Sequence, residues 1–309
     1  MNIVYHAMSK TFHLYNDSLS YIMTVLRNGH LGQLYCGARI HDREDFSYFL
    51  ELAPRAMSAC PYENDRSFSL EHIRQELPSF GTGDYRDGAV ELLQADGSRL
   101  TDFCYVNHSI TSGKPGLKGL PATYTESDDE AMTLLVTLRD ELTGVTAELS
   151  YTIFRDFGAI ARSVRYMNEG EKAVTLTRAM SRCLDLPDCD YDWLQFSGCW
   201  TRERKPICRR PEQGILAVGS RRGHSSHEQN PFVVLKRPTA DEDQGEVFGL
   251  SLVYSGSFLI QAEVDAHSTL RLLAGIHPEG FGWRLEPGEA FQSPEAVLVY
   301  SAGGLGEMS

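Results

Sequence analysis

Nothing in the sequence approaches the ~18 consecutive apolar residues that a membrane-spanning helix needs. The opening Met1-Asn2-Ile3-Val4-Tyr5-His6 joins no basic segment to an apolar one, so no secretory leader is read there. Paired cysteines are missing as well. The seven cysteines (Cys36, Cys60, Cys104, Cys183, Cys189, Cys199 and Cys208) are odd in number and scattered, with no C-x-x-C pair. That argues against a disulfide framework and a thiolate zinc motif, and for reduced thiols in a cytoplasmic, bacterial-style protein. Basic charge is scarce: 29 Lys and Arg against 42 Asp and Glu leave a formal charge of −13. Phosphate backbones and anionic lipids are held by clustered Lys and Arg, so neither nucleic acid nor membrane is an expected partner. No G-x-S-x-G elbow, phosphate-binding loop or dinucleotide fingerprint occurs. The basic, glycine-rich run Gly113 to Gly119 contains Pro115 and has no helix after it, so it reads as an ordinary loop.

What is present is strand grammar. The 309 residues are 42% hydrophobic, an ordinary globular composition for one large domain or two. Leu19 to Leu26 and Leu31 to Tyr35 flank Asn28-Gly29, which predicts a hairpin. Val90 to Leu93, Leu149 to Phe154, Ile160 to Tyr166 and Val174 to Met180 are further strand candidates. So are Phe232 to Leu235, Val247 to Tyr254, Phe258 to Val264, Leu270 to Leu273 and Ala296 to Tyr300. More than a dozen such runs, spaced as in sandwiches and barrels, predict an all-β fold in two antiparallel layers with few short helices. One helix is predicted, Phe68 to Leu77, stopped by Pro78. No linker splits the chain, so residues 1–309 are expected to form a single domain.

Few constellations carry chemistry. His224 and His227, three apart, would share a helix face and ligate a metal, but Gly223 and Pro231 bracket them in a loop without a third ligand. No metal or cofactor is expected. The run Asp185-Leu186-Pro187-Asp188-Cys189-Asp190-Tyr191-Asp192-Trp193 holds four aspartates beside aromatics, and Trp200 follows. Carboxylates accept sugar hydroxyls and an indole face stacks on the C–H side of a pyranose. An acidic turn followed by core aromatics explains the same residues. Glycoside hydrolysis needs two opposed carboxyl groups, ~5–5.5 Å apart in retaining enzymes, which a linear sequence does not display.

An ordered series of motifs is more specific. Asn64-Asp65-Arg66-Ser67-Phe68-Ser69-Leu70 is followed by Gln75-Glu76-Leu77-Pro78-Ser79-Phe80-Gly81 and Gly116-Leu117-Lys118-Gly119-Leu120-Pro121. Then come Asp190-Tyr191-Asp192-Trp193, Ser197-Gly198-Cys199-Trp200-Thr201-Arg202-Glu203 and His224-Ser225-Ser226-His227-Glu228-Gln229-Asn230-Pro231-Phe232. In this order they resemble the N-terminal region of bacterial α-galactosidases of glycoside hydrolase family 36, from about Thr11 onward. The resemblance implies a β-supersandwich that precedes a (β/α)8 catalytic barrel, in tetrameric or otherwise oligomeric enzymes. Those enzymes hydrolyse terminal α-galactosides such as melibiose and raffinose with retention. The family nucleophile lies in a Lys-Trp-Asp segment that this sequence does not contain. The expectation is a fragment without its catalytic aspartates, inactive alone, whose residues from about 300 to 309 lead toward the barrel. A freestanding carbohydrate-binding or interaction module is the other reading.

The resemblance also assigns a site. Trp200 matches the family tryptophan that walls the galactose pocket. The family's second pocket residue, an aspartate, falls on Pro54 here, with Glu51 the nearest carboxylate, and is not carried over. From local chemistry, Asp65 and Arg66 are expected to support a loop, Arg66 through a bidentate carboxylate pair. Tyr191 and Trp193 are expected beneath the pocket.

Overall fold

The computed structural model describes all 309 residues, and they form 20 strands with no helix longer than four residues. β1 (Asn2–His6), β2 (Thr11–Tyr15), β3 (Leu19–Val25) and β4 (Leu31–Ala38) pair in that order as a four-stranded meander. Gly29 turns between the last two with φ 90, as the Asn-Gly pair predicts. After a long stretch without strands comes β5 (Val90–Leu93), then a second meander. It consists of β6 (Phe103–Ser112), β7 (Ala131–Asp140), β8 (Val145–Phe154) and β9 (Ala159–Asn168). β10 (Val174–Leu186) is followed by β11 (Asp192–Cys199) and β12 (Arg202–Arg209), which form a hairpin. The remaining strands are β13 (Gly214–Ser220), β14 (Gln229–Lys236), β15 (Val247–Val253), β16 (Phe258–Val264), β17 (Leu270–Ile276), β18 (Trp283–Leu285), β19 (Ala290–Gln292) and β20 (Glu295–Ser301).

A ten-stranded sheet runs β12-β11-β14-β15-β20-β9-β8-β7-β6, with β19 beside β9. A six-stranded sheet runs β13-β16-β17-β10-β18, with β5 beside β10. Strand pairing within all three sheets is antiparallel, as expected. One core of 51 buried residues draws on all three sheets. In β8, Val145, Ala147, Leu149, Tyr151 and Ile153 enter it while Glu148 and Ser150 stay half-buried. That period of two is what a strand with one face on a core requires. Burying each large side chain of this kind contributes roughly 1.5–3 kcal/mol.

Two expectations fail. Phe68 to Leu77 is not a helix: only the Ser69 carbonyl makes a helical turn, accepting from Ile73 at 3.1 Å. Beyond it the backbone runs along β4, with Gln33 N–H donating to the Arg74 carbonyl at 3.0 Å and Glu76 N–H to that of Leu31 at 2.9 Å. Tertiary pairing overrides the local propensity there. The strand predicted to end at Met180 continues to Leu186, so Asp185 lies in a buried strand and not in an acidic turn.

Candidate functional site

β11 and β12 project Trp200 from the edge of the large sheet. Cys199 pairs with Arg202, so Trp200 and Thr201 form the hairpin tip. Thr201 adopts a left-handed φ of 66, and its N–H donates to the Glu203 carboxylate at 3.0 Å. Arg202 Nε donates to Cys199 Sγ at 2.9 Å. Gly198 completes the tip, because a Cβ there would lie 2.2 Å from the Arg202 carbonyl oxygen. The tip is thus set by its own backbone and leaves the indole 79% exposed. A large ring held out by a fixed turn is an unspent apolar surface.

The root of the same strand is rigid. Trp193 Nε1 donates to Gln195 Oε1 at 2.9 Å, Gln195 Nε2 to Ser197 Oγ at 2.8 Å, and Ser197 Oγ to Gln229 Oε1 at 3.1 Å. These inward residues at a period of two lock the strand up to Gly198. Trp193 and Tyr191 are fully buried in the main core. At ~3.3 Å per residue, Trp193 sits roughly 20 Å along the strand from Trp200. The Tyr191 ring lies under the Arg237 guanidinium at 3.9 Å, and its hydroxyl donates to Glu246 at 3.1 Å. Burial pushes that phenol well above its ordinary range.

The four aspartates of the acidic run do not converge. Asp185 is buried against Arg271, Asp188 faces Arg237 at 2.6 Å, Asp190 pairs with Arg210, and Asp192 lies 3.3 Å from Lys236. Each has its own cation, so none forms the opposed pair that glycoside hydrolysis needs. Asp65 accepts from the Ser67 hydroxyl at 2.6 Å, which holds its carboxyl below the usual range, and from Arg27 at 2.9 Å. Arg66 is exposed and makes no ion pair, so the loop clasp expected of it is made by Arg27 instead. Pro54 and Glu51 lie on an exposed loop, with Glu51 paired to Arg55. His224 and His227 stay in an exposed loop, where His224 Nδ1 bonds the Ser225 carbonyl at 2.7 Å.

Sequence reasoning missed a polar centre beneath these elements. Glu76 is fully buried and accepts from Tyr21 at 2.6 Å and Tyr151 at 2.7 Å. Burial raises its carboxyl, against the opposing pull of the Arg162 and Arg182 guanidinium groups. Its signal was the alternation of β9: Arg162 shares the core-facing register of Ile160 and Val164.

The profile of the glycosyl hydrolase family 36 N-terminal domain matches residues 29–286. The chain belongs to glycosyl hydrolase family 36. It is 46% identical over its whole length to α-galactosidase AgaA of Geobacillus stearothermophilus, covering 42% of that protein. It is 36% identical over 99% of its length to α-galactosidase Mel36A of Lactobacillus acidophilus, again covering 42% of the relative. Its fold superposes on the crystal structure of AgaB from Geobacillus stearothermophilus with a TM-score of 0.95 at 44% identity, covering all of this chain and 42% of that one. An AgaA variant crystallised with raffinose gives 0.94 at 46% identity, covering 97% and 42%. This family 36 chain therefore spans about two fifths of the length of the curated relatives it matches, at their N-terminal end.

Proposed function

We propose that residues 1–309 act as one β-sandwich unit, the non-catalytic N-terminal domain of an α-galactosidase. In the whole protein, a catalytic barrel outside these residues would cleave terminal α-galactosides such as raffinose and melibiose. Trp200 would close one wall of the pocket across a boundary, contributed to the barrel of its own or a neighbouring subunit in a homo-oligomer. Tyr191 and Trp193 anchor the strand that carries it, while Asp65, clasped by Arg27, orders its own loop and leaves Arg66 open. The observation that carries this reading is Trp200 itself, 79% exposed on a turn that nothing else in the chain covers. Ring faces of this kind stack on the C–H surfaces of pyranoses. The seven free cysteines support a reducing, cytoplasmic setting. No helix is long and apolar enough to cross a membrane.

An aryl α-galactoside assay tests the division of labour. The 309-residue chain should release no aryl product above buffer, whereas the protein joined to its catalytic region should turn over. Hydrolysis by the chain alone would contradict the proposal.

A further inference from the structure

Away from Trp200, one cluster brings a nitrogen, an oxygen and a sulfur to a single point. His30 Nε2, Asp102 Oδ1 and Cys104 Sγ all lie within 4.8 Å of one another. His30 sits in the turn between β3 and β4, and Cys104 is the second residue of β6, the edge strand of the large sheet. Asp102 and Cys104, two apart along an extended chain, present the same face. The seam is closed by backbone, with Tyr105 N–H donating to the Gly29 carbonyl at 2.8 Å. Gly29 leaves room for the thiol: a Cβ there would come 3.0 Å from Cys104 Sγ.

A second observation concerns the histidine ring. Gln75 Nε2 donates to the Asp84 carboxylate at 2.6 Å, and an ionised carboxylate only accepts, so the Gln75 amide has one orientation. Its Oε1 then faces His30 Nδ1 at 3.1 Å, which makes Nδ1 the nitrogen that carries hydrogen. Nε2 is the lone-pair nitrogen of the neutral ring, yet it points at Asp102 Oδ1 from 2.6 Å. Two lone pairs so close call for a cation, either a second proton or a metal. The Cys104 thiol, which donates to the Asn28 carbonyl at 3.5 Å, lies within 4.8 Å of both atoms, and as a thiolate it completes a nitrogen, oxygen and sulfur set suited to a thiophilic metal. An imidazole whose far N–H is anchored by an outer carbonyl is how metal-bound histidines are oriented.

We propose that His30 Nε2, Asp102 Oδ1 and Cys104 Sγ form a zinc site that ties the four-stranded sheet to the edge of the ten-stranded one. Three protein ligands leave a fourth position for water. Binding forms the zinc–sulfur bond and releases the thiol proton to solvent. Asp102, with a side chain 68% exposed, is free to swing to bonding distance. No C-x-x-C spacing announces such a site, since the fold brings His30 to residues that lie 72 and 74 positions further along the chain.

Zinc chloride added to the chelator-treated, gel-filtered protein, in competition with a chromophoric chelator, is the test. About one zinc should bind per chain and raise Tm. Asp102→Asn and Cys104→Ser, both partly exposed, should keep the metal-free Tm and each lose at least ~10-fold in affinity. Cobalt in place of zinc should give a sulfur-to-metal charge-transfer band that Cys104→Ser abolishes. A protein that takes up no zinc, variants that bind zinc as wild type does, or a cobalt spectrum without the sulfur band would each overturn the site.

Discussion

Arg271 is fully buried, donating Nη2 to Asp84 and to Asp185 at 2.8 Å each and Nε to Asp185 at 2.8 Å. Burial alone would raise the Asp185 carboxyl, but this guanidinium prevails and holds it at about 2, below the ordinary 3.8. A depressed carboxyl stabilises the fold fully above its unfolded value and loses that contribution as pH falls through the folded one. The loss between pH 3.8 and about 2 amounts to roughly 2 kcal/mol. Arg271→Met leaves Asp185 without its close partner, whereas Asp84 keeps Arg86 at 2.9 and 3.0 Å, and should cost ~3–5 kcal/mol at neutral pH. Urea unfolding of wild type and variant should show that gap shrinking as pH drops toward 2, and a gap independent of pH would contradict the pairing. Little of this was legible beforehand. Arg271 sits in an apolar run like any strand arginine, and its partners Asp84 and Asp185 lie far from it in sequence. The inward register of Arg162 in β9, by contrast, was readable from alternation alone.

Among the elements, β3 and β16 were bounded nearly to the residue by their flanking turn residues, and β5 by its period-two pattern. Such patterns record burial on one face, a property of the segment itself. The Phe68 to Leu77 stretch misled because its polar residues are bound elsewhere: Glu76 to two tyrosines, Gln75 N–H to Asp185 at 3.0 Å. The hairpin of β11 and β12 is an edge element. Its outer strand is exposed, charged and carries Pro206, features that discourage pairing with another sheet. Its tip depends on the bare Gly198 against the Arg202 carbonyl. Gly198→Ala should therefore splay the tip while sparing the main core, to which β12 contributes no residue. Near-wild-type Tm with a fall in kcat/KM on an α-galactoside in the whole protein is the expected outcome; unchanged kcat/KM would mean that tip geometry is unimportant.

On the scale of the whole molecule, the ordered motifs identified the family, whereas the division into three sheets was not visible in any single segment. Partition between sheets depends on which strands meet across long separations, as when β9 pairs with β20. The run of aspartates that most invited a catalytic reading is neutralised residue by residue, and the proposed function places the hydrolytic carboxylates outside these 309 residues. The task proposed for these residues is to present one aromatic wall. The most direct measurement is kcat/KM on an aryl α-galactoside for the whole protein with Trp200→Ala, taken together with its Tm. Loss of one stacking face should lower kcat/KM about tenfold, equivalent to ~1.4 kcal/mol, with Tm unchanged because the indole is already in solvent. Wild-type kcat/KM in that variant would contradict a role for Trp200 in the pocket.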